Sequence, residues 1–236
     1  MKKVILVVMM LALLGTAGGA TFAVFASTGT MSVYGQFNQL ACPVIPFNSD
    51  PRSESGPWAS WLNEDDGLFN ADYALFNDPT NGNSVQLPGQ WTAFPNLLMG
   101  DGYVLTCGNP KGSTVYHTFT FAGVDISNTP AWISLPGMTG GQGGWHWVGI
   151  PYPTNTTVSF YDIVCTDGVE ARTLGAMLDD DPGWIDMVFT GLDQASQNVI
   201  NIPDQSGTMQ GGQMYMVHTK KSNLAFILPA PNPAGP

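Results

Sequence analysis

The sequence predicts an all-β protein with little helix, on three observations. Short runs rich in Val, Thr, Tyr and Phe recur along the chain, and several of them alternate apolar with polar residues. Glycine and proline, at 28 and 18 residues, interrupt these runs at short intervals, as turns between strands require. Apolar residues at helical spacing are confined to two short segments, 58–63 and 174–178.

The predicted strands share a length of five to eight residues and are bounded by Gly, Pro, Asn or Asp. Such spacing is typical of a sandwich or barrel. The strands are predicted at 31–37, 39–45, 103–107, 115–121, 144–150, 157–164, 185–190, 214–218 and 224–228.

The first 26 residues have the features of a secretory signal peptide. Met1-Lys2-Lys3 precede an uncharged stretch that ends in small residues, as cleavage regions do. An uncleaved membrane anchor is the alternative, but the strongly apolar part ends near Leu14 and a weakly apolar Gly-rich segment follows. We therefore expect a secreted, extracellular or cell-surface protein that has no membrane contact beyond the signal segment.

The charge balance excludes one large class of partners. The chain has a formal net charge of −11, and only five of its Lys and Arg residues lie after the signal segment, against eighteen acids. Binding to a phosphate backbone or to anionic lipid depends on clustered Lys and Arg. We therefore expect no nucleic-acid partner.

An internal repeat runs through the mature chain. Residues 40–47 align with 145–152, since an apolar strand in each case ends at Pro and then an aromatic residue. Residues 99–105 align with 211–217 as a Gly-containing step into a Tyr strand, and one more strand follows each time. The same order occurs twice, which predicts two tandem, diverged β-sandwich or barrel-like modules.

The domain organisation follows from that repeat and from the Gly-rich stretch near residue 140. We expect a signal peptide at 1–26, an N-terminal strand at 27–36, a first module at 37–127, a linker at 128–143, a second module at 144–229 and a proline-rich tail at 230–236.

The second copy resembles a repeat common in secreted bacterial and archaeal surface proteins. The loose form of that repeat is G-W-N-L-I-G-L-P, then a Trp-bearing middle, then G-x-G-Y-W-V. Residues 144–151 and 215–217 match it, whereas Phe37-Asn38-Gln39-Leu40 departs from it in the first copy and the second copy lacks the G-x-G spacing. No catalytic residue belongs to this repeat, so the resemblance implies a packing module of an exported protein.

A second resemblance lies at the end of the signal segment. Residues 18–25, Gly-Gly-Ala-Thr-Phe-Ala-Val-Phe, are similar to the processing region of biofilm-fibre proteins of the TasA and camelysin type and of archaeal bundling pilins. The resemblance implies that the mature N-terminal strand can complete a neighbour's sheet. Residues 30–37 alternate as a donated strand would, and the alternative is an ordinary first strand of the chain's own sheet.

Three cysteines remain after the signal segment, and an oxidising compartment favours one disulfide among them. Cys42 lies at the start of the first module and Cys107 at its end, so a bond between them would close a long loop. We expect the disulfide Cys42–Cys107 and a buried Cys165.

No motif of enzyme chemistry occurs in the chain. It has no G-x-S-x-G elbow, no H-E-x-x-H and no phosphate-binding loop, and its three histidines, His117, His146 and His218, are far apart. We predict a non-enzymatic protein with no catalytic residue and no cofactor, although a Ser-His-Asp site assembled by the fold would not be visible in the sequence.

Calcium is the one metal for which ligands occur. Asp179, Asp180 and Asp181 supply carboxylates in a turn-rich segment. The chain lacks the D-x-[DN]-x-[DN]-G loop, so the alternative is a solvated acidic turn.

Two surface sites are also predicted. We expect the tryptophans to lie in the core, because most of them recur at corresponding places in the two copies. Trp145 and Trp147 fall on one face of a predicted strand, and the alternative is that this face is open and the two form a sugar-binding platform. Asn155-Thr156-Thr157 fits the N-glycosylation pattern.

These features together favour a structural role at the cell surface. Strand edges with few Lys residues suit pairing between subunits, so the leading hypothesis is a subunit of an extracellular filament, pilus-like fibre or surface coat that self-associates into a homopolymer. The alternatives are a surface-displayed adhesin or carbohydrate-binding module that recognises a glycan, and a secreted hydrolase.

Overall fold

A computed structural model describes residues 26–34, 36–46, 71–78, 82–86, 98–107, 114–137, 142–193, 196–203 and 207–233. The predicted signal segment, apart from Ala26, and the helix predicted at 58–63 lie outside these residues. So do three of the seven tryptophans, Trp58, Trp61 and Trp91.

The described residues form antiparallel sheets with one short α-helix, so the prediction of an all-β fold is confirmed. The helix, α1 (Leu174–Asp179), begins after Thr173, whose hydroxyl accepts the N–H of Ala176 at 3.2 Å, and it matches the predicted segment 174–178. In chain order the strands are β1 (Ala26–Tyr34), β2 (Gln36–Ala41), β3 (Ile45–Pro46), β4 (Ala71–Asp78), β5 (Gly82–Gln86), β6 (Gly102–Cys107), β7 (Thr114–Val124), β8 (Ala131–Leu135), β9 (Trp145–Gly149), β10 (Thr156–Ser159), β11 (Val164–Thr166), β12 (Ala171–Thr173), β13 (Phe189–Asp193), β14 (Asn198–Ile202), β15 (Thr208–Gln210), β16 (Met214–His218), β17 (Leu224–Leu228) and β18 (Asn232–Pro233).

Two four-stranded sheets pack face to face in the C-terminal part of the chain. The front sheet has the order β14-β13-β16-β9, and the back sheet has the order β12-β11-β17-β8. Phe189 of the front sheet and Phe226 of the back sheet meet with ring centroids 5.4 Å apart. The two sheets therefore enclose one hydrophobic core, as in a β-sandwich.

The core is filled by aliphatic, Tyr and Phe side chains rather than by tryptophan. In β8 the side chains alternate strictly between buried and exposed, which is how a strand with one face on a core behaves. Of the four described tryptophans only Trp184 is buried, while Trp132 and Trp145 are 55% and 58% exposed. The expectation that tryptophans occupy the core is wrong for these two. The largest fully buried side chains are Tyr103, Tyr152, Tyr215, Phe160, Phe189, Phe226 and Leu40.

Two segments predicted to lie outside the modules contain strands. Strand β8 falls within the predicted linker 128–143 and pairs along its whole length with β17. Strand β18 falls within the predicted tail 230–236 and pairs with β10, in a three-stranded sheet of order β15-β10-β18. Both additions extend the C-terminal sandwich beyond the limits 144–229.

The N-terminal part of the chain contributes two further sheets. The N-terminal sheet has the order β2-β6-β4-β5, and a three-stranded sheet has the order β1-β7-β3. The predicted strand 31–37 is interrupted between β1 and β2. Strand β1 pairs with β7 of the same chain from Ala26 to Tyr34, so the strand considered for donation lies in its own sheet here.

The same four-residue turn leads into two strands, β6 and β16. Residues 98–101 and residues 210–213 each close with an N–H to carbonyl hydrogen bond of 3.3 Å from the fourth residue to the first. The third residue is Gly100 in one turn, with φ +87°, and Gly212 in the other, with φ +71°. A type II turn places its third residue in this left-handed region, which only glycine adopts without strain.

A buried tyrosine follows each of these turns and holds it in place. The hydroxyl of Tyr103 accepts the backbone N–H of Leu98 at 2.9 Å, and the hydroxyl of Tyr215 accepts that of Gln210 at 2.8 Å. Both tyrosines are 1% exposed, and each lies five residues after its donor. The two Tyr strands are thus built with the same local hydrogen bond.

A reciprocal pair of hydrogen bonds joins each turn to a strand of the other half. The N–H of Gly149 donates to the carbonyl of Gly100 at 2.8 Å, and the N–H of Ala41 donates to the carbonyl of Gly212 at 2.9 Å. Each half of the chain therefore supplies the turn that completes the strand of the other half. The N-terminal sheet and the front sheet meet through backbone hydrogen bonds and not only through side chains.

The pairing of these strands differs by three residues from the predicted alignment of residues 40–47 with residues 145–152. Ala41 pairs with Gly102 at the start of β6, and Gly149 pairs with Met214 at the start of β16. Ala41 is thus the counterpart of Gly149, and the proline of the first copy that corresponds to Pro151 is Pro43 rather than Pro46. The strand pairing agrees with the predicted alignment of residues 99–105 with residues 211–217.

Close approach of the two halves requires glycine at position 149. A Cβ atom there would lie 2.3 Å from the carbonyl oxygen of Asp101 and 2.6 Å from the Cβ of Ala41. The first contact is with backbone, so a rotamer change cannot relieve it.

We predict that Gly149→Ala lowers the free energy of unfolding by about 2 kcal/mol, because overpacking forces the two halves apart. Urea denaturation followed by tryptophan fluorescence measures the change. Gly175→Ala in α1, where the nearest backbone atom would be 3.1 Å from the new Cβ, is the matched control and should change stability by less than about 1 kcal/mol. Equal effects of the two substitutions would contradict the close approach.

We predict that Tyr215→Phe lowers the free energy of unfolding by about 1–2 kcal/mol, because the turn N–H loses its buried acceptor. The same denaturation experiment applies. Tyr161→Phe is the control, since Tyr161 is 45% exposed, and it should be within about 0.5 kcal/mol of wild type.

Candidate functional site

The outer face of the front sheet carries an exposed aromatic surface. Trp145 and Trp147 alternate with the inward-facing His146 and Val148 along β9, so both indoles are on the side away from the core. Trp145 is 58% exposed, whereas Trp147 is partly buried. We call the residues Trp145, Trp147, Met216 and His218 the Trp145 face.

The register of β16 against β9 brings a histidine beside Trp145. His218 pairs directly with Trp145, and Met216 pairs with Trp147. The rings of Trp145 and His218 have centroids 5.1 Å apart at an interplanar angle of 50°. The contact places the histidine ring beside an indole that is 58% exposed.

A carboxylate fixes the orientation of that histidine. Oδ2 of Asp186 lies 2.9 Å from Nδ1 of His218, and Oδ1 lies 3.0 Å from Nζ of Lys220. The backbone N–H of Asp186 donates to the carbonyl of His218 at 2.8 Å, which anchors the loop before β13 to the end of β16. Asp186 thus links the two basic side chains next to Trp145.

The hydrogen bonds among these side chains favour the charged forms of Asp186 and Lys220. Hydrogen bonding to Lys220, and then to His218, holds the pKa of Asp186 below its usual range. The bond to Asp186 in turn raises the pKa of Lys220. At neutral pH the carboxylate and the ammonium are both charged, and their charges compensate locally.

His218, Asp186 and Lys220 were not singled out from the sequence as partners of Trp145. His218 lies 73 residues away from it, and only the strand register makes them neighbours. A basic residue two positions after His218 was the available signal, because residues two apart in an extended segment point to the same face.

A cleft of about 250 Å³ opens beside Trp147, between the edge strands β8 and β9 of the two sheets. The cleft is lined by polar and apolar residues, several of which belong to these two strands. It is formed by Gly100, Asp101, Gly102, Ile133, Ser134, Leu135, Pro136, His146, Trp147 and Val148.

His146 faces the core and is held there as a neutral ring. It is 4% exposed, and its Nε2 shares a hydrogen bond of 3.2 Å with Oγ1 of Thr219. Burial, together with the nearby His218, lowers the pKa of His146 to about 4. Its place in β9 corresponds to Asn38 in β2, which is also fully buried.

The three aspartates considered for calcium do not converge. Asp180 forms an ion pair of 2.8 Å with Arg172, and Asp181 accepts the backbone N–H of Gly183 at 2.7 Å, as in an Asx-turn. Among the described residues no group of three or more His, Cys, Asp or Glu side chains is arranged to hold a metal ion. Asp179, Asp180 and Asp181 do not fit a calcium site in this arrangement.

The predicted disulfide Cys42–Cys107 does not form. Cys107 pairs with Gln36 at one end of the β2–β6 ladder, while Cys42 follows Ala41 at the other end. The six residues from Gln36 to Cys42 span about 20 Å in a strand, whereas a disulfide needs Cα atoms within about 7 Å. Cys42 is free and buried, and burial raises the pKa of its thiol well above the usual range. Its counterpart in the second copy is Ile150, so Cys42 fills a core position.

Cys165 is free and buried in β11, as expected. Burial raises the pKa of its thiol to about 12, which leaves it protonated and unreactive.

Asn155 is exposed in the turn that precedes β10. The acceptor pattern Asn155-Thr156-Thr157 therefore lies on the surface, where a glycosylation site has to be.

The pair His218–Asp186 has the geometry of a base and its orienting carboxylate. Hydrolysis by such a pair needs a hydroxyl or thiol within hydrogen-bond reach of the histidine. Within the described part of the chain, Asp186 is the residue that hydrogen-bonds the ring of His218. In this arrangement Asp186 orients the ring of His218, which lies against the indole of Trp145.

In the described ranges, no helix has both the length and the apolar character needed to cross a membrane.

We predict that acid destabilises the protein through His146. Because the folded state holds its pKa near 4 against an ordinary value near 6.5, its contribution to stability is present above pH 6.5 and is lost as the pH falls toward 4. His146→Asn, which copies Asn38, removes that titration. Between pH 6.5 and 4 the unfolding free energy of wild type should fall on the order of 2–3 kcal/mol further than that of the variant, and parallel pH profiles would contradict the assignment.

Comparison of the chain with models of known protein families, with curated proteins and with solved structures finds no match. The geometry of the molecule is therefore the basis for a functional assignment.

Proposed function

We propose that the protein is an exported, non-catalytic structural protein that self-associates through a strand edge, as a subunit of an extracellular filament, fibre or surface coat. The observation that carries the proposal is β14, the edge strand of the front sheet. Its sequence, Asn-Val-Ile-Asn-Ile, contains no charge and no proline. Unpaired strand edges of this kind are templates for pairing with another chain.

The outward-facing residues of β14 are open to a partner. Val199 is 63% exposed, while Ile200 is partly buried and Ile202 is buried toward the core. Strand β13 pairs with one side of β14, and among the described residues no strand pairs with the other side. Pairing of this side with a second chain would supply hydrogen bonds between subunits.

An edge strand of the back sheet is protected in the usual way. Strand β12 carries Arg172, which is engaged with Glu170 and Asp180. A charge at an edge discourages pairing with a second chain. The contrast between β12 and β14 supports assembly through the front sheet.

Strand β14 is suited to pairing with its own copy. In an antiparallel pair centred on Ile200, the two Ile200 residues face each other and Val199 faces Asn201 of the other copy, without a like-charge contact. The chain has a formal net charge of −11, so two copies repel each other except at an uncharged surface such as this one.

We further propose that the two halves are diverged copies of one module. Support comes from the matching turns, the two tyrosine hydroxyls bonded to the residue five positions before, and the reciprocal bonds Gly149–Gly100 and Ala41–Gly212. A duplication accounts for all three features at once.

We predict that Val199→Lys abolishes assembly, because it places a charge on the edge that pairs between subunits. Electron microscopy and sedimentation velocity of the purified mature protein measure filaments and oligomers. Val169→Lys is the matched control, since Val169 is 91% exposed in the turn between β11 and β12 of the back sheet, and it makes the same change in net charge.

Wild type and Val169→Lys should assemble alike, and Val199→Lys should remain monomeric. A monomeric wild type at all concentrations would overturn the structural role. Unaltered assembly of Val199→Lys would place the contact elsewhere and overturn the role of β14.

A further inference from the structure

We propose that the Trp145 face, with Asp186 and Lys220, is a binding site for a neutral glycan. This inference is independent of assembly through β14, because it concerns the other edge of the front sheet. The site combines an open indole, a histidine fixed against it and two charged side chains that compensate each other.

The indole of Trp145 supplies the stacking surface. It is 58% exposed, and its ring centroid lies 5.1 Å from that of His218. A pyranose ring presents a face of C–H groups, and the electron-rich face of an aromatic ring is its natural partner. The two χ angles of tryptophan also keep the entropy cost of binding low.

Asp186 and Lys220 supply the hydrogen bonds that a sugar needs. The side chain of Asp186 is 49% exposed and that of Lys220 is 42% exposed. The carboxylate has about four lone-pair sites and the ammonium has three donors, so both keep capacity after bonding each other and His218. Hydroxyl groups of a sugar stacked on Trp145 would use this remaining capacity.

The charge of the site selects a neutral ligand. The ammonium of Lys220 and the carboxylate of Asp186 compensate each other, and the chain as a whole has a formal net charge of −11. An acidic polysaccharide would be repelled by this field. A neutral hexose chain meets no such penalty.

The shape of the site favours an extended chain over a single sugar. Trp147 lies two residues from Trp145 on the same face of β9, which places their backbones about 7 Å apart. Both indoles lie on one sheet face, so consecutive sugar units would lie across it.

Trp132 makes a sharp control for this site. It is 55% exposed, nearly as much as Trp145, and lies on the outer face of β8 in the back sheet. Its partner across the strands is the apolar Ile227. Trp132 thus offers an indole without the hydrogen-bonding group.

The test is isothermal titration of the purified mature protein with neutral hexaoses of glucose, galactose, mannose and N-acetylglucosamine. At least one should bind, and Trp145→Ala should weaken that binding at least tenfold. Trp132→Ala should stay within twofold of wild type. Asp186→Asn should weaken binding severalfold, because it releases His218 and Lys220 while preserving size.

Three results would overturn the site: no binding of any of the four hexaoses, equal loss in Trp145→Ala and Trp132→Ala, or unchanged binding in Trp145→Ala. Sedimentation velocity on Trp145→Ala gives a further check. Loss of self-association in that variant would assign the face to a second copy of the chain instead of a glycan. Val199→Lys should bind the hexaose as wild type does, so failure of the glycan site and failure of assembly through β14 are distinguishable.

Discussion

The structure depends on the two hydrogen bonds that cross between its halves, from Gly149 N–H to the carbonyl of Gly100 and from Ala41 N–H to the carbonyl of Gly212. Both acceptors lie in turns that only glycine allows and that a buried tyrosine holds. Each turn accepts a hydrogen bond from a strand of the other half, from β9 in one case and from β2 in the other. Backbone groups buried at this junction would lose their partners if the halves separated, at a cost of about 1–3 kcal/mol for each group.

This junction also decides which surfaces remain for function. It covers one end of the front sheet, where Met214 is fully buried although it lies on the outer face. On the rest of that face Trp145 and Val199 are exposed, near opposite edges of the sheet. The proposed sugar platform and the proposed pairing edge can therefore coexist on one sheet. The low charge of the chain suits both roles, because neither depends on ionic contacts.

Local patterns in the sequence predicted several of the strands but not which strands pair with one another. Strands β16 and β17 were predicted with correct limits because each is a short β-rich run bounded by turn residues. Strand β8 was missed because Ala131–Leu135 lies in a Gly- and Pro-rich stretch that indicates a linker. The sequence could not show that Trp145 faces solvent, since alternation defines two faces without saying which one is covered. Pairing of Cys42 with Cys107 failed for a related reason, because the register of β2 and β6 is a property of the whole sheet.

Native-state hydrogen exchange at the amides of Ala41 and Gly149 tests the reciprocal junction most directly. The account predicts that both amides exchange only when the protein unfolds globally, so their opening free energies equal the unfolding free energy and respond alike to urea. Rapid exchange at Ala41 with slow exchange at Gly149 would show that the N-terminal half opens by itself, and it would contradict a single body joined at the two turns.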